Sequence, residues 1–376
     1  MKKIIIACDS FKGSLGSEEV GVAASEGVRM ADDSIETLVV AVADGGEGTV
    51  DALVRGLDGH YVNCTVCGPL GAPVEARYGI SGDGATAIME MAQASGLTLI
   101  PESRRNPLYT STFGTGQMIA DALGRGCTTI LMGIGGSATN DGGMGLLSAL
   151  GVRFFDEDGS ELKPSGESLE KIAAIDLSGM DSRARTATFR IACDVDNPLY
   201  GPDGAACVFG PQKGAGAEAV ERLDRGLRNY ARIVEKTTGR DVAAMPGAGA
   251  AGGLGACFAA FFRSTLEPGI ELMLNAIHFG EIIAGADLII TGEGRLDSQT
   301  VHGKTPYGVL CAGRRQGIPV VAIGGAVTAY AELAAAGFRA VFPVVPGPCT
   351  LAEAMDAATA RRNVANTVAQ IVRLFQ

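Results

Sequence analysis

The sequence predicts an α/β protein of two domains: a doubly wound parallel sheet formed by both ends of the chain, with a mixed-sheet α/β domain inserted between them. Three observations predict it. The chain opens in a βαβα rhythm and closes in a βαβαβα rhythm. Between the two, three strand-like runs joined by short turns give the pattern of an antiparallel meander. With no Trp and few aromatics, the core falls to Val, Ile, Leu and Ala, which suit buried parallel strands and the helices that cover them.

The elements follow in order. KKIIIAC (Lys2 to Cys8) is short, apolar and rich in β-branched residues, so it predicts a buried strand. The loop DSFKGSLGS leads to a helix over 18–30. A second strand, ETLVVAVAD, ends at Asp44, and the turn GGEGT opens the next helix. From His60 come the meander strands HYVNCTVCG, PVEARYGIS and ATAIMEMA. A helix over 114–123, the strand CTTILMGIG, a helix from Gly142, the strand TFRIACDV and a polar helix over 217–236 complete the middle. From Ala286 the chain reads DLIITGEG, a helix from Pro306, PVVAIGGAV, a helix, RAVFPVV and a closing helix from Leu351. The simplest arrangement joins 1–59 and 286–376 into the doubly wound domain and leaves 60–285 as the insertion.

Composition narrows the function. A formal charge of −11 with no Lys/Arg run repels nucleic acid and anionic lipid. The N-terminal apolar run is too short for a signal peptide and is cut by Asp9; the uncharged stretch from Ala243 to Phe262 is rich in Gly and Ala and predicts a buried loop and helix rather than a membrane span. Nine cysteines, an odd number, fit reduced thiols in a cytoplasmic protein, and the single CxxC, Cys64 to Cys67, lies in an alternating strand pattern rather than a zinc site.

The chemistry sits in the turns. GIGGSATNDGG, from Gly133 to Gly143, follows one predicted strand and precedes a helix. Glycines there let backbone N–H groups converge on an anion, and Ser137, Thr139 and Asn140 add neutral donors. Similar loops follow other strands: DSFKGS, ADGGEGT, CDVDNPLYGPDGA and TGEGRLDSQTVHGKT. Together with Gly133–Gly143 they carry Lys12, Asp44, Glu47, Asp141, Asp194, Asp196, Glu293, Arg295, Asp297 and Lys304. In open α/β sheets ligands bind at the carboxyl ends of the strands, and carboxylates with cations amid glycines are what Mg-nucleotide chemistry requires.

Three motif matches carry less. HGKT, His302 to Thr305, lacks the glycine of a Walker loop, because Ser298 stands five residues before Gly303. GAGAAG, Gly247 to Gly252, follows no strand. GIGGSA, Gly133 to Ala138, does follow one, but no acidic residue closes a following strand ~20 residues on, so a dinucleotide site is disfavoured. With three histidines and no G-x-S-x-G, hydrolase triads and His-rich metal sites are disfavoured; His60 and His278 are expected to be structural.

Taken in order, DSFKGSL, ADGGEGT, STFGTGQMI, GIGGSATNDGGMGLLSALG, CDVDNPLYGPDGAACVFGPQKGA, PGAGAAGGLG and TGEGRLDSQTVHGKTPYGV resemble the bacterial glycerate kinases of the first family, from Lys3 to the final helix. The resemblance implies ATP-dependent phosphorylation of D-glycerate with Mg²⁺, and two α/β domains, one Rossmann- or flavodoxin-like, with the active site in the cleft between them. It implies 2-phosphoglycerate as the product of most members and the 3-phosphate for some. It supplies no catalytic assignment, so residue roles come from the loops' chemistry. Ser10, Lys12 and Arg295 are expected at the substrate, with Lys12 and Arg295 taking the glycerate carboxylate and the γ-phosphate. Gly133, Gly135, Gly136, Ser137, Thr139 and Asn140 are expected to cradle nucleotide phosphate, with Lys213 and Lys304 as further phosphate contacts. Asp194 and Asp297 are the expected Mg²⁺ ligand and hydroxyl-orienting base, in either order, followed by Asp44 and Asp196. A non-catalytic glycerate or sugar-acid sensor and an NAD-linked 2-hydroxy-acid enzyme are the alternatives. The expected partner is D-glycerate, with no nucleic acid and no membrane; a homodimer is one assembly the sequence leaves open.

Overall fold

The structure, a computed structural model, describes residues 1–43 and 48–376. The chain divides into two compact units, Met1–Leu57 with Pro268–Gln376, and Asp58–Glu267. The strands in chain order are β1 (Lys3–Cys8), β2 (Glu36–Val39), β3 (His60–Cys67), β4 (Pro73–Ile80), β5 (Thr86–Glu90), β6 (Thr129–Gly133), β7 (Arg153–Phe155), β8 (Ala174–Asp176), β9 (Thr188–Ala192), β10 (Arg263–Glu267), β11 (Leu288–Leu296), β12 (Val320–Val327) and β13 (Ala340–Pro343).

The terminal unit holds the sheet β13-β12-β11-β1-β2, with every neighbouring pair parallel. Counted within the unit, this is the order 2-1-3-4-5 of a flavodoxin-like doubly wound sheet. β1 is wholly apolar from Ile4 to Cys8 because both its faces are covered. Helices Ser17–Ala31 and Ala357–Leu374 pack on each other, and Val20, Val364 and Val368 from them share one core with Ile4 and Ile6. Helix Thr305–Arg315 packs against β11, β12 and β1.

Two boundaries differ from the sequence pattern. Residues 268–285 belong to the terminal unit, not to the insertion. Helix Gly269–Ala276 packs on helices Thr49–Gly56 and Thr305–Arg315. Gly308 and Gly56 admit Ile270 and Ile277, since a Cβ at either glycine would lie 2.4 and 2.7 Å from those side chains. The closing helix is broken into Leu351–Met355 and Ala357–Leu374, where Asp356 Oδ2 accepts from Thr359 N at 2.8 Å and caps the second piece.

The inserted unit holds the sheet β10-β9-β6-β5-β4-β3. β10, β9, β6 and β5 are parallel; β4 and β3 continue antiparallel from β5, as the meander pattern predicts. Helix Ala217–Thr238 buries Leu223, Leu227, Tyr230 and Val234, one stripe of an otherwise polar helix. Among the described residues no helix is long and apolar enough to cross a membrane, and all nine cysteines are free.

Candidate active site

The connections of the terminal sheet reverse between β1 and β11, and ligands of such sheets bind outside the carboxyl ends at that switch point. After β1, Phe11 N donates to Leu15 O at 2.8 Å and Leu15 N donates to Phe11 O at 3.1 Å, closing a tight turn. Phe11 and Leu15 are buried anchors, and Gly13 (φ +77°) supplies the left-handed residue that the turn requires. The result presents Lys12 to solvent, while Ser14 Oγ is buried with no hydrogen-bond partner among the described residues. Asp9 is buried beneath the turn; its Oδ1 accepts from Ser10 N at 2.6 Å and its Oδ2 accepts from the Thr305 hydroxyl at 3.3 Å.

β11 runs to Leu296, so Glu293 and Arg295 are strand residues rather than loop residues. Just beyond them the fully buried Thr300 ties the Glu293 carboxylate to the Asp297 backbone: its hydroxyl donates to Glu293 Oε1 at 2.7 Å and accepts from Asp297 N at 3.1 Å. Asp297 Oδ1 accepts from Gln299 N at 3.0 Å, an Asx-turn. Lys304 Nζ stands 3.6 Å from Glu293 Oε2 and 3.7 Å from Asp297 Oδ1, and Arg295 Nε stands 3.5 Å from Asp297 Oδ2. Burial pushes the Glu293 carboxyl above its usual range; the Asp9 and Asp297 carboxylates add to that, against the Thr300 bond and the Lys304 charge.

A cavity of ≈ 420 Å³ opens on these groups. A second, of ≈ 750 Å³, shares Ser10 and Lys12 with it and continues to Ser17, Glu18, Asp51 and Arg55. Glu293 and Asp297 can share one cation, because a single ammonium already lies within 4 Å of both. Two hard oxygen donors fit Mg²⁺, which takes one or two carboxylates with waters and phosphate oxygens; among the described residues no three acidic, His or Cys side chains converge as a complete cage. Asp44 and Glu47 lie outside the described residues.

The Gly133–Gly143 segment belongs to the inserted unit. Only Gly135 and Gly136 are exposed; Ser137 to Gly143 are buried. Most of its glycines make room for protein. A Cβ at Gly142 would lie 2.8 Å from the Tyr230 ring and one at Gly143 2.5 Å from Cys257 Sγ. The second glycine string is the facing wall: Gly142 N donates to Gly252 O at 3.0 Å, and a Cβ at Gly252 would lie 2.1 Å from Thr139 O. Lys213 is buried here as well, and its Nζ donates to Ser137 Oγ and Thr139 O, each at 2.7 Å. Burial brings the Lys213 ammonium down to about 7, against the Asp141 charge. Asp141 accepts from Thr112 N (2.7 Å), Thr112 Oγ1 (2.9 Å), Gly145 N (3.1 Å) and Gly143 N (3.2 Å).

Of the predicted phosphate-binding residues, Gly133, Ser137, Thr139, Asn140 and Lys213 are buried, and Gly135 and Gly136 form the exposed tip. Asp194 and Asp196 are exposed beyond β9 in the same unit. His278 is not in an apolar helix but exposed at a left-handed turn (φ +53°). Thr300 had no role expected of it, and Glu293 only a place among the loop carboxylates; the Asp-x-Gln-Thr turn after β11 is the signal that points to Thr300.

The family model described as "Glycerate kinase family" matches residues 4–376. The chain is 49% identical to a glycerate kinase of Halalkalibacterium halodurans, over 95% of this chain and 94% of that one. It is 47% identical to the glycerate kinase of Bacillus subtilis (99% and 98%) and 46% identical to the glycerate 2-kinase of Escherichia coli (98% and 98%). A crystal structure from Salmonella typhimurium LT2, described as a glycerate kinase 2, superposes with a TM-score of 0.91 at 46% identity, covering 100% of this chain and 98% of that one. With this coverage and a flavodoxin-like switch point lined by lysine, arginine and carboxylates, the chain belongs to the glycerate kinase family.

Proposed function

We propose that this chain transfers the γ-phosphoryl group of ATP to the 2-hydroxyl of D-glycerate, giving 2-phosphoglycerate and ADP. The observation that carries the reading is the charge array at the switch point: Lys12, Arg295 and Lys304 beside Asp9, Glu293 and Asp297. The E. coli relative described as a glycerate 2-kinase supports the choice of hydroxyl. The hydroxyl oxygen attacks the γ-phosphorus, the bond to the bridging oxygen breaks, ADP leaves, and the hydroxyl proton passes to a carboxylate. Such a transfer is driven by positioning and charge stabilisation. Lys12 and Arg295 hold the glycerate carboxylate and the γ-phosphate, with Ser10 as a hydrogen-bonding neighbour. Asp297, with Glu293, would hold Mg²⁺, which when bound neutralises charge on the phosphate oxygens. Asp194, on the strength of its own exposed position beyond β9, is the proposed proton acceptor.

The test mixes purified protein with ATP, D-glycerate and Mg²⁺, measures ADP and identifies the phosphorylated acid by ³¹P NMR. ADP formation that needs all three components, with 2-phosphoglycerate as product, is expected. No ADP above background defeats the kinase reading, and 3-phosphoglycerate defeats the choice of hydroxyl.

A further inference from the structure

The switch-point cavity is larger than glycerate requires. Its lining draws on the carboxyl ends of β1, β11, β12 and β13, at Asp9, Glu293, Gly325 and Val344. Adjacent strands lie ~4.8 Å apart, so three intervals span about 14 Å. A three-carbon acid with bonds of ~1.5 Å fills roughly a third of that. The volume of ≈ 420 Å³ falls among sites for cofactor-sized ligands.

The lining also has two chemistries. The β1 and β11 residues are charged. The segment after β13 supplies Val344, Leu351, Ala354, Met355 and Ala360, all apolar, and one polar side chain, Asn363. Asn363 lies on helix Ala357–Leu374, one turn beyond Ala360, and is 9% exposed. It lines the cavity and is not one of the fully buried polar groups left without a partner among the described residues, so its amide is open to a ligand entering there. A ligand with one donor and one acceptor side by side satisfies such an amide, and the edge of adenine, with its N6 amino group beside a ring nitrogen, is one.

We propose that the post-β13 wall receives the base of the nucleotide, with Asn363 paired to the adenine edge and Val344, Leu351 and Met355 against its faces. The assignment rests on the kinase reading and extends it, giving this cavity to the nucleotide rather than to glycerate alone.

Nucleotide kinetics and direct ADP binding test it on the full-length protein. Asn363→Ala is expected to raise the KM for ATP and the Kd for ADP about tenfold, to leave the KM for D-glycerate within twofold, and to flatten the kcat/KM preference for ATP over GTP, because guanine presents an acceptor where adenine presents its amino group. Leu351→Asp, at an exposed position that folding tolerates, is expected to raise the KM for ATP likewise. Unchanged ATP and ADP parameters in both variants at wild-type melting temperature overturn the proposal, as does a rise confined to D-glycerate. ADP binding that weakens in the variants of a protein that never phosphorylates glycerate upholds this proposal while the kinase reading falls.

Discussion

Lys304 holds the charge balance of the switch point, because its ammonium faces both Glu293 and Asp297. In the proposed reaction a phosphate group at that point would exchange one anionic partner of the lysine for another without stranding it. Removing it leaves two carboxylates facing the incoming anion. Lys304→Met is therefore expected to lower kcat/KM by about 10²-fold or more, with Lys304→Arg recovering part of it, in steady-state assays at saturating Mg²⁺. Lys213 behaves differently. It is buried, tied to Ser137 and Thr139, and its ammonium is lowered to about 7. The unfolded lysine titrates near ~10.4, so between the two values the unfolded chain binds a proton that the folded chain has released. Stability then rises with pH from about 7 to about 10 and gains nothing from this group below 7. Ordinary thiols titrate near ~8.5, so the buried cysteines add an opposite slope that both proteins share; denaturant titrations between pH 7 and 8.5 are expected to show a more positive slope in the wild type than in Lys213→Met, and parallel curves would refute the assignment. Lys12, Arg295, Asp297 and Lys304 are legible in the sequence because a charged side chain amid glycines has few structural uses. The interior place of Lys213 is not legible, because GPQKGA reads the same whether its lysine faces water or the Ser137–Thr139 backbone.

At the scale of elements, the two glycine-rich segments divide by what their glycines face. In the Phe11–Leu15 turn Gly13 serves conformation, and a Cβ there would also meet Met355 Cε at 2.6 Å. In Gly133–Gly143 the left-handed Gly142 and Gly143 serve packing against Tyr230 and Cys257. Gly136 also has positive φ (+69°), so a side chain there strains the backbone whatever its role. Gly135 has an ordinary φ and is exposed, and a Cβ added to it would meet no other atom within 4 Å. Gly135→Ala is thus the clean probe of the tip as an anion contact: it is expected to raise the KM for ATP several-fold with an unchanged melting curve. Wild-type ATP kinetics in that variant would reduce the tip to a turn. Strand identities follow from the apolar runs themselves, since parallel strands buried on both faces read as continuous Val/Ile stretches. The break at Asp356 does not, because the local cap from Asp356 to Thr359 N interrupts a stretch whose apolar pattern reads as one helix, and the extension of β11 to Leu296 does not, because it depends on a tertiary partner, the pairing of Arg295 with Ala326.

At the scale of the whole molecule, insertion makes two folding units of one chain. The terminal unit is assembled from two segments, Met1–Leu57 and Pro268–Gln376, and β1 lies between β2 and β11, so its central strand pairs come from both. The inserted unit, Asp58–Glu267, is continuous. It carries its own six-stranded sheet, and its core runs from Val62 on β3 to Phe262 beside β10. That core includes fully buried Tyr78, Phe154, Phe189, Tyr230 and Phe258, with the Phe189 ring 4.6 Å from that of Phe262 and tilted by 50°. Aromatic side chains bury the largest areas, and about 210 residues are enough chain for an independent core. Residues 58–267 expressed alone are therefore expected to give one cooperative thermal transition and dispersed amide NMR signals, without ATP turnover. The terminal unit, missing its insertion, is expected to need a linker joining residue 57 to residue 268 before it folds, because its β1–β11 pairing otherwise joins two separate chains. Lys213→Met placed in the isolated 58–267 fragment extends the argument. The Lys213 network, with Ser137, Thr139 and Asp141, lies entirely within that unit, so the difference in pH slope between the fragment and its Lys213→Met variant, from pH 7 to 8.5, is expected to match that of the full-length pair. A fragment that melts without cooperativity, or whose pH slope over that range equals that of its variant, would show instead that the inserted unit depends on the terminal one for its packing.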